Sequence, residues 1–133
     1  MAEEQVKDLA QIGASPASKD LLRALKAGGH ISELQDGYRL AIALAIADGL
    51  EPRPDRGQDR ETMFAAALLD PDQHLRLVIQ EMYPNAETWP MRAAEDLAEQ
   101  GLERLRTFMD GDRPWFTDVI NHVEAAGAAE RVP

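Results

Sequence analysis

The sequence predicts an all-α protein, a compact bundle of five to six helices. Apolar residues recur at helical spacing in several segments, nothing alternates convincingly with a period of two, and β-branched residues are sparse. In addition, Leu40–Ala47 (LAIALAIA) contains no polar side chain. A helix apolar on every side must be surrounded, either by its own domain or by a second copy.

Read in order, Val6, Leu9, Ala10 and Ile12 have the spacing of a short amphipathic turn that ends at Gly13. The residues before it are expected to fray. Ser18 is the expected cap of a short helix with Leu21, Leu22 and Leu25 on one side, stopped at Gly28-Gly29. Ser32 is the next expected cap, with Glu33 and Asp36 near the positive end of the helix dipole. The central apolar helix then covers about 33–48, and Gly49 supplies a left-handed stop.

Residues 51–59 (EPRPDRGQD) read as an exposed loop. Residues 60–69 are ambiguous. Met63, Phe64 and the alanines favour helix, but the segment is short enough for a strand or an irregular turn. Asp70 and Pro71 fit a cap and a first helical position, with Leu75, Val78, Ile79 and Met82 as the apolar stripe that follows. Tyr83-Pro84-Asn85 ends that helix.

Pro90 opens the longest pattern, whose stripe is Met91, Ala94, Ala98, Gly101, Leu102, Leu105 and Phe108, edged by Leu97 and Met109. Glycine inside a helix costs about 1 kcal/mol relative to alanine, so Gly101 predicts close packing against another backbone. Asp110-Gly111-Asp112 ends the helix. Phe116, Val119, Ile120 and Val123 form the last stripe, and 127–133 read as a frayed tail. Residues 1–133 read as a single helical domain.

Composition narrows the functions. The net charge is −10, and there is no cysteine, so disulfides and thiolate metal sites are excluded. The acidity is uneven: residues 1–39 carry −1 and residues 40–133 carry −9. The acidic part is a poor surface for phosphate backbones and a suitable one for a basic partner, although acidity also serves solubility. Eleven arginines against three lysines point only to a GC-rich source. Neither a signal pattern nor a membrane-length apolar run is present, which implies a soluble, cytoplasmic protein.

No catalytic constellation stands out. His30, His74 and His122 lack the spacing of a metal-binding pair, and Asp70, Asp72 and His74 (D-x-D-x-H) read better as a cap, a first-turn acid and a solvated histidine. Ser15, Ser18 and Ser32 sit at turns or caps and outside any nucleophile elbow. Glu95, Asp96 and Glu99 read as a solvated helix face, and no glycine-rich phosphate loop occurs. No cofactor and no metal are therefore expected. Trp89 and Trp115 each neighbour a proline at a helix start, where a tryptophan packs the core or anchors a partner. Tyr38 is expected half-buried with its hydroxyl at the surface, and Arg39 paired with Asp36 or Glu33.

The residues Leu34, Asp36, Tyr38, Leu40, Ala41, Ala43, Leu44, Gly49 and Leu50 resemble a helix motif of small accessory proteins of bacterial DNA-phosphorothioation (Dnd) and related DNA-modification islands. The resemblance covers about 20 residues, mostly apolar helix pattern. It implies a helical or ribbon-helix-helix-like unit that assembles with copies of itself, in the company of DNA-modifying or defence machinery. It carries over no catalytic residue. The chain departs from a ribbon-helix-helix protein in having no alternating segment at Leu21–Ala27 and no basic base-reading strand.

The function expected from these readings is a non-enzymatic interaction protein, self-associating and docking a protein partner through its acidic part. Its candidate interaction residues are Leu34, Tyr38, Arg39, Ala41, Ala45, Trp89 and Trp115. The alternatives are a DNA-binding regulator using Lys19, Arg23, Lys26 and Arg39, and, less favoured, a small metal-dependent hydrolase. If Leu34–Leu50 is the hub, Ala45→Glu breaks folding or assembly, measured by circular dichroism and sedimentation. A variant that remains folded and unchanged in mass rejects the hub.

Overall fold

Two short strands, distant in sequence, pair beside the helical bundle. In the computed structural model, which describes residues 7–54, 60–109 and 115–131, β1 (Gln11–Ala14) pairs antiparallel with β2 (Glu61–Ala65). The remaining elements are α1 (Pro16–Ala27), α2 (Leu34–Ala47), α3 (Ala66–Leu69), α4 (His74–Met82), α5 (Pro90–Met109) and α6 (Trp115–Arg131), with a 3₁₀ turn at Pro84–Ala86. The predicted mostly helical bundle is observed, with six helices and one small sheet among the described residues.

The sheet is the main departure from the expected pattern. Residues 11–14 form a strand in place of the expected amphipathic turn, because Gly13 and Pro16 leave no room for a helix and pairing with β2 satisfies the backbone instead. The ambiguous segment 60–69 divides into β2 and the four-residue α3. The register slips between Ile12 and Gly13.

Two helix starts also move. Ser15, followed by Pro16, caps α1 and accepts from the Ser18 amide, so Ser18 lies inside the helix and is buried. Glu33 rather than Ser32 precedes α2, and its amide donates to Asp36 at 3.0 Å. Asp70 caps α4 across a turn, accepting from the Leu75 and Arg76 amides at 2.9 Å each, and Pro71 stays outside the helix. At the other end of the chain α6 continues to Arg131 where a frayed tail from 127 was expected. The expected fray at 1–6, most of the loop at 51–59 and the break at 110–112 fall outside the described residues.

α2 and α5 form the centre. Tyr38, Ala41, Ile42, Leu44 and Ala45 of α2 pack with Met91, Ala94, Leu97, Ala98, Leu102 and Leu105 of α5 in one buried cluster. α2 has no exposed residue between Leu34 and Asp48, as its pattern requires. Gly49, at φ 70°, ends it, and the Leu50 amide reaches back to the Ala45 carbonyl. Asp48 then gathers Arg104 of α5 at 3.0 Å and the His122 ring of α6, tying three helices at one corner. On the far side, His30 lies against the Trp115 and Phe116 rings at 4.9 and 5.5 Å.

The predicted close approach at Gly101 is present. A Cβ there would lie 1.9 Å from the Ala41 carbonyl oxygen, so the two helix backbones touch. Gly101→Ala must push α2 and α5 apart and should cost about 1–3 kcal/mol, read as a lower urea midpoint at unchanged m-value. A wild-type midpoint would mean that the helices do not touch there.

Candidate functional site

Two places stand out: an internal carboxylate cluster on α5, and an exposed apolar face on α4. The first was read from the sequence as a solvated face. Instead Glu95, Asp96 and Glu99 are 1%, 3% and 7% exposed. Four residues on an α-helix return to nearly the same side, so Glu95 and Glu99 both face β1. Glu95 accepts the Gly13 amide at 2.9 Å. Glu99 accepts the Ser15 amide at 3.1 Å, the Ser15 hydroxyl at 2.7 Å and the Ser18 hydroxyl at 2.8 Å. Asp96 faces the other way and accepts the Arg53 amide at 2.8 Å, the Arg53 guanidinium at 3.0–3.2 Å and the Gln100 amide at 2.7 Å.

Arg60 lies between the three acids, with guanidinium nitrogens 3.7 Å from Glu95, 3.9 Å from Asp96 and 3.7 Å from Glu99. Burial alone drives the Glu99 carboxyl upward more than any single other influence. Together, however, the Ser15 hydroxyl and amide, the Ser18 hydroxyl and the Arg60 charge hold it below the ordinary glutamate range. Such a cluster binds strand and loop to helix. A general acid or base needs a carboxyl within reach of a substrate, whereas these oxygens face the protein's own donors. Tyr38 completes the internal network: its hydroxyl is fully buried and donates to the Gly13 carbonyl at 2.9 Å, which corrects the expected surface position.

The candidate interaction residues fall in different places. Tyr38, Ala41 and Ala45 are buried inside the subunit on α2, which packs chiefly against α5 and also against α6 and α1. Leu34 packs against the same core, and Trp89 is buried in it. Trp115 is partly buried beside His30. Arg39 meets Asp36 at 3.2 Å as expected, and also clamps the Leu68 and Leu69 carbonyls at the end of α3.

On the alternative basic stripe, Lys19 pairs with Glu61 at 2.7 Å and Lys26 approaches Glu33 at 3.8 Å, while Arg23 is exposed. Asp72 and His74 meet at 3.3 Å on the surface, and among the described residues no group of three or more acids and histidines converges on a metal-sized site.

The second place is α4. Of its expected buried stripe only Ile79 is fully buried, with Leu75 half-buried. Leu77, Val78 and Met82 are 43–58% exposed, and Leu68 of α3 is 49% exposed. α4 has nine residues and rests on α5 by one side only, so the remaining apolar positions point outward. Met82 also forms part of a groove of about 400 Å³ lined by Tyr83, Trp89 and three prolines, Pro52, Pro54 and Pro84. The sequence carried a signal for this face. Leu77 lies outside the expected stripe, so α4 has more apolar residues than one side can bury.

The inward cluster predicts two measurements. Glu95→Ala leaves the Gly13 amide buried without its acceptor and should cost about 1–3 kcal/mol in urea unfolding. Because Glu99 is held below its ordinary value, its contribution is complete above about pH 4.5 and fades as pH falls through the lower folded value. Stability should therefore fall less steeply on acidification in Glu99→Gln than in the wild type, and equal slopes would deny Glu99 that role. No protein-family model, curated protein or solved structure matches this chain.

Proposed function

We propose that the protein is a cytoplasmic, non-enzymatic accessory protein that works by binding a partner protein, in a bacterial DNA-modification or defence system. One observation carries the binding part of this reading. The carboxylates that could do acid–base chemistry are turned inward on internal donors, while apolar side chains of α4 are turned outward beside a groove. Exposed apolar clusters next to concave, aromatic-lined surfaces are what partner sites are made of. The placement among DNA-modification proteins rests on the resemblance of residues 34–50.

The contact is with a different protein in this reading. Ten net negative charges on each copy work against pairing of two copies, and the apolar side of α2 is covered within the subunit. Binding to duplex DNA is disfavoured because three of the four candidate contacts, Lys19, Lys26 and Arg39, pair with carboxylates.

Crosslinking of the tagged protein in its source cells, followed by mass spectrometry, is expected to recover a stoichiometric protein partner. A gel-shift series on duplex DNA is expected to show no binding. Tight DNA binding that weakens steeply with salt, in the absence of a protein partner, would move the assignment to a DNA-binding regulator.

A further inference from the structure

We propose that the outer face of α4, together with the Trp89 groove, receives a basic amphipathic helix of the partner, a deepening that rests on the binding role above. The shape of the site comes first. Val78 and Met82 stand one turn apart on the exposed side of α4, with Leu77 beside them. Nine helical residues span about 13 Å, so α4 alone offers a strip the length of two to three turns. Met82 joins this strip to the groove over Trp89. The Val78–Met82 strip, running into the groove, fits the apolar side of a helix with anchors at i, i+3 or i+4, and i+7. Methionine at the junction adapts its shape to the side chain it meets.

The charges around the strip decide which helix. Glu81 lies on the exposed side of α4 between Leu77 and Met82, the Glu87 backbone carbonyl accepts from Gln80 of α4, and Glu51 lines the groove. All three are exposed. Asp72 sits at the start of α4 beside the exposed His74. Among the described residues, Arg76 faces Asp8 at 3.6 Å, and Arg53 is bonded to Asp96. Among the described residues the exposed acids thus lie within and beside an apolar strip, and its complement is a helix with leucine-like residues on one side and lysine or arginine among and beside them. A second copy of this acidic chain would bring like charges to the same strip.

The test uses the full chain and a fluorescent synthetic leucine/lysine helical peptide of about four turns, followed by anisotropy. Binding that weakens as salt is raised is expected, together with markedly weaker binding of a scrambled peptide of the same composition and none of a leucine/glutamate helix. Val78→Glu should weaken the leucine/lysine peptide about tenfold although it adds a negative charge. Plain electrostatic attraction would instead be strengthened by that substitution.

Because Val78 is about half exposed, Val78→Glu should keep the wild-type circular dichroism, and Met82→Glu is an independent second variant. Equal binding of ordered and scrambled peptides, or undiminished binding by both variants, overturns the proposal. So does Val78-dependent dimerisation in sedimentation, or Val78-dependent flotation with zwitterionic phosphatidylcholine vesicles, when the peptide does not bind. A native partner captured equally by wild type and Val78→Glu overturns this site and leaves the accessory role standing.

Discussion

The structure depends on a match of repeats between a helix and a strand. Residues four apart on α5 rise about 6 Å, and residues two apart on a strand advance about 6.8 Å. Glu95 and Glu99 can therefore address the amides of Gly13 and Ser15 in step, as a neighbouring strand would. β1 has β2 on one side only, and an open edge with unpaired amides would be costly to bury. The two carboxylates close that edge. Arg60, arriving at the start of β2, offsets their charge, and Tyr38 from α2 takes the Gly13 carbonyl. Three separate elements, α5, β2 and α2, are thus fixed around one short strand.

Much of the helical framework was legible in the sequence because helices advertise themselves locally. The Met91–Phe108 stripe and the left-handed stop at Gly49 follow from residues near one another in the chain, and a glycine inside a helix signals close packing at Gly101 without naming its partner, Ala41. The strands did not, since β1 and β2 are stabilised by pairing across the molecule rather than by their own pattern. Glu95, Asp96 and Glu99 were misread for the same reason. A carboxylate at a helical position looks solvated until its donors are known, and those donors come from Gly13, Ser15, Ser18, Arg53 and Arg60. The outer face of α4 was half legible: its surplus of apolar residues is in the sequence, but which of them turn outward depends on how α4 lies on α5.

The acidity of the chain consequently divides in two. One part is structural and internal, paired with arginines and hydroxyls. The other, including Glu51, Glu81 and Glu87, remains in solvent around apolar groups. Only the second can steer an encounter, and salt screens it at distances beyond about 8–10 Å. Net charge therefore overstates the field available for recognition.

The long span between β1 and its carboxylates has a consequence for biosynthesis. The Ser15 amide and Glu99 are 84 residues apart. At the usual pace of translation the ribosome needs roughly 4–17 s to make that interval. During that time the amino-terminal strand can find β2 but has nothing to cover its open edge. An exposed edge is a template for pairing with other chains, so the nascent protein is most vulnerable to misassembly before α5 emerges. The order of synthesis leaves the strand at the centre of the network to be completed by a helix made much later.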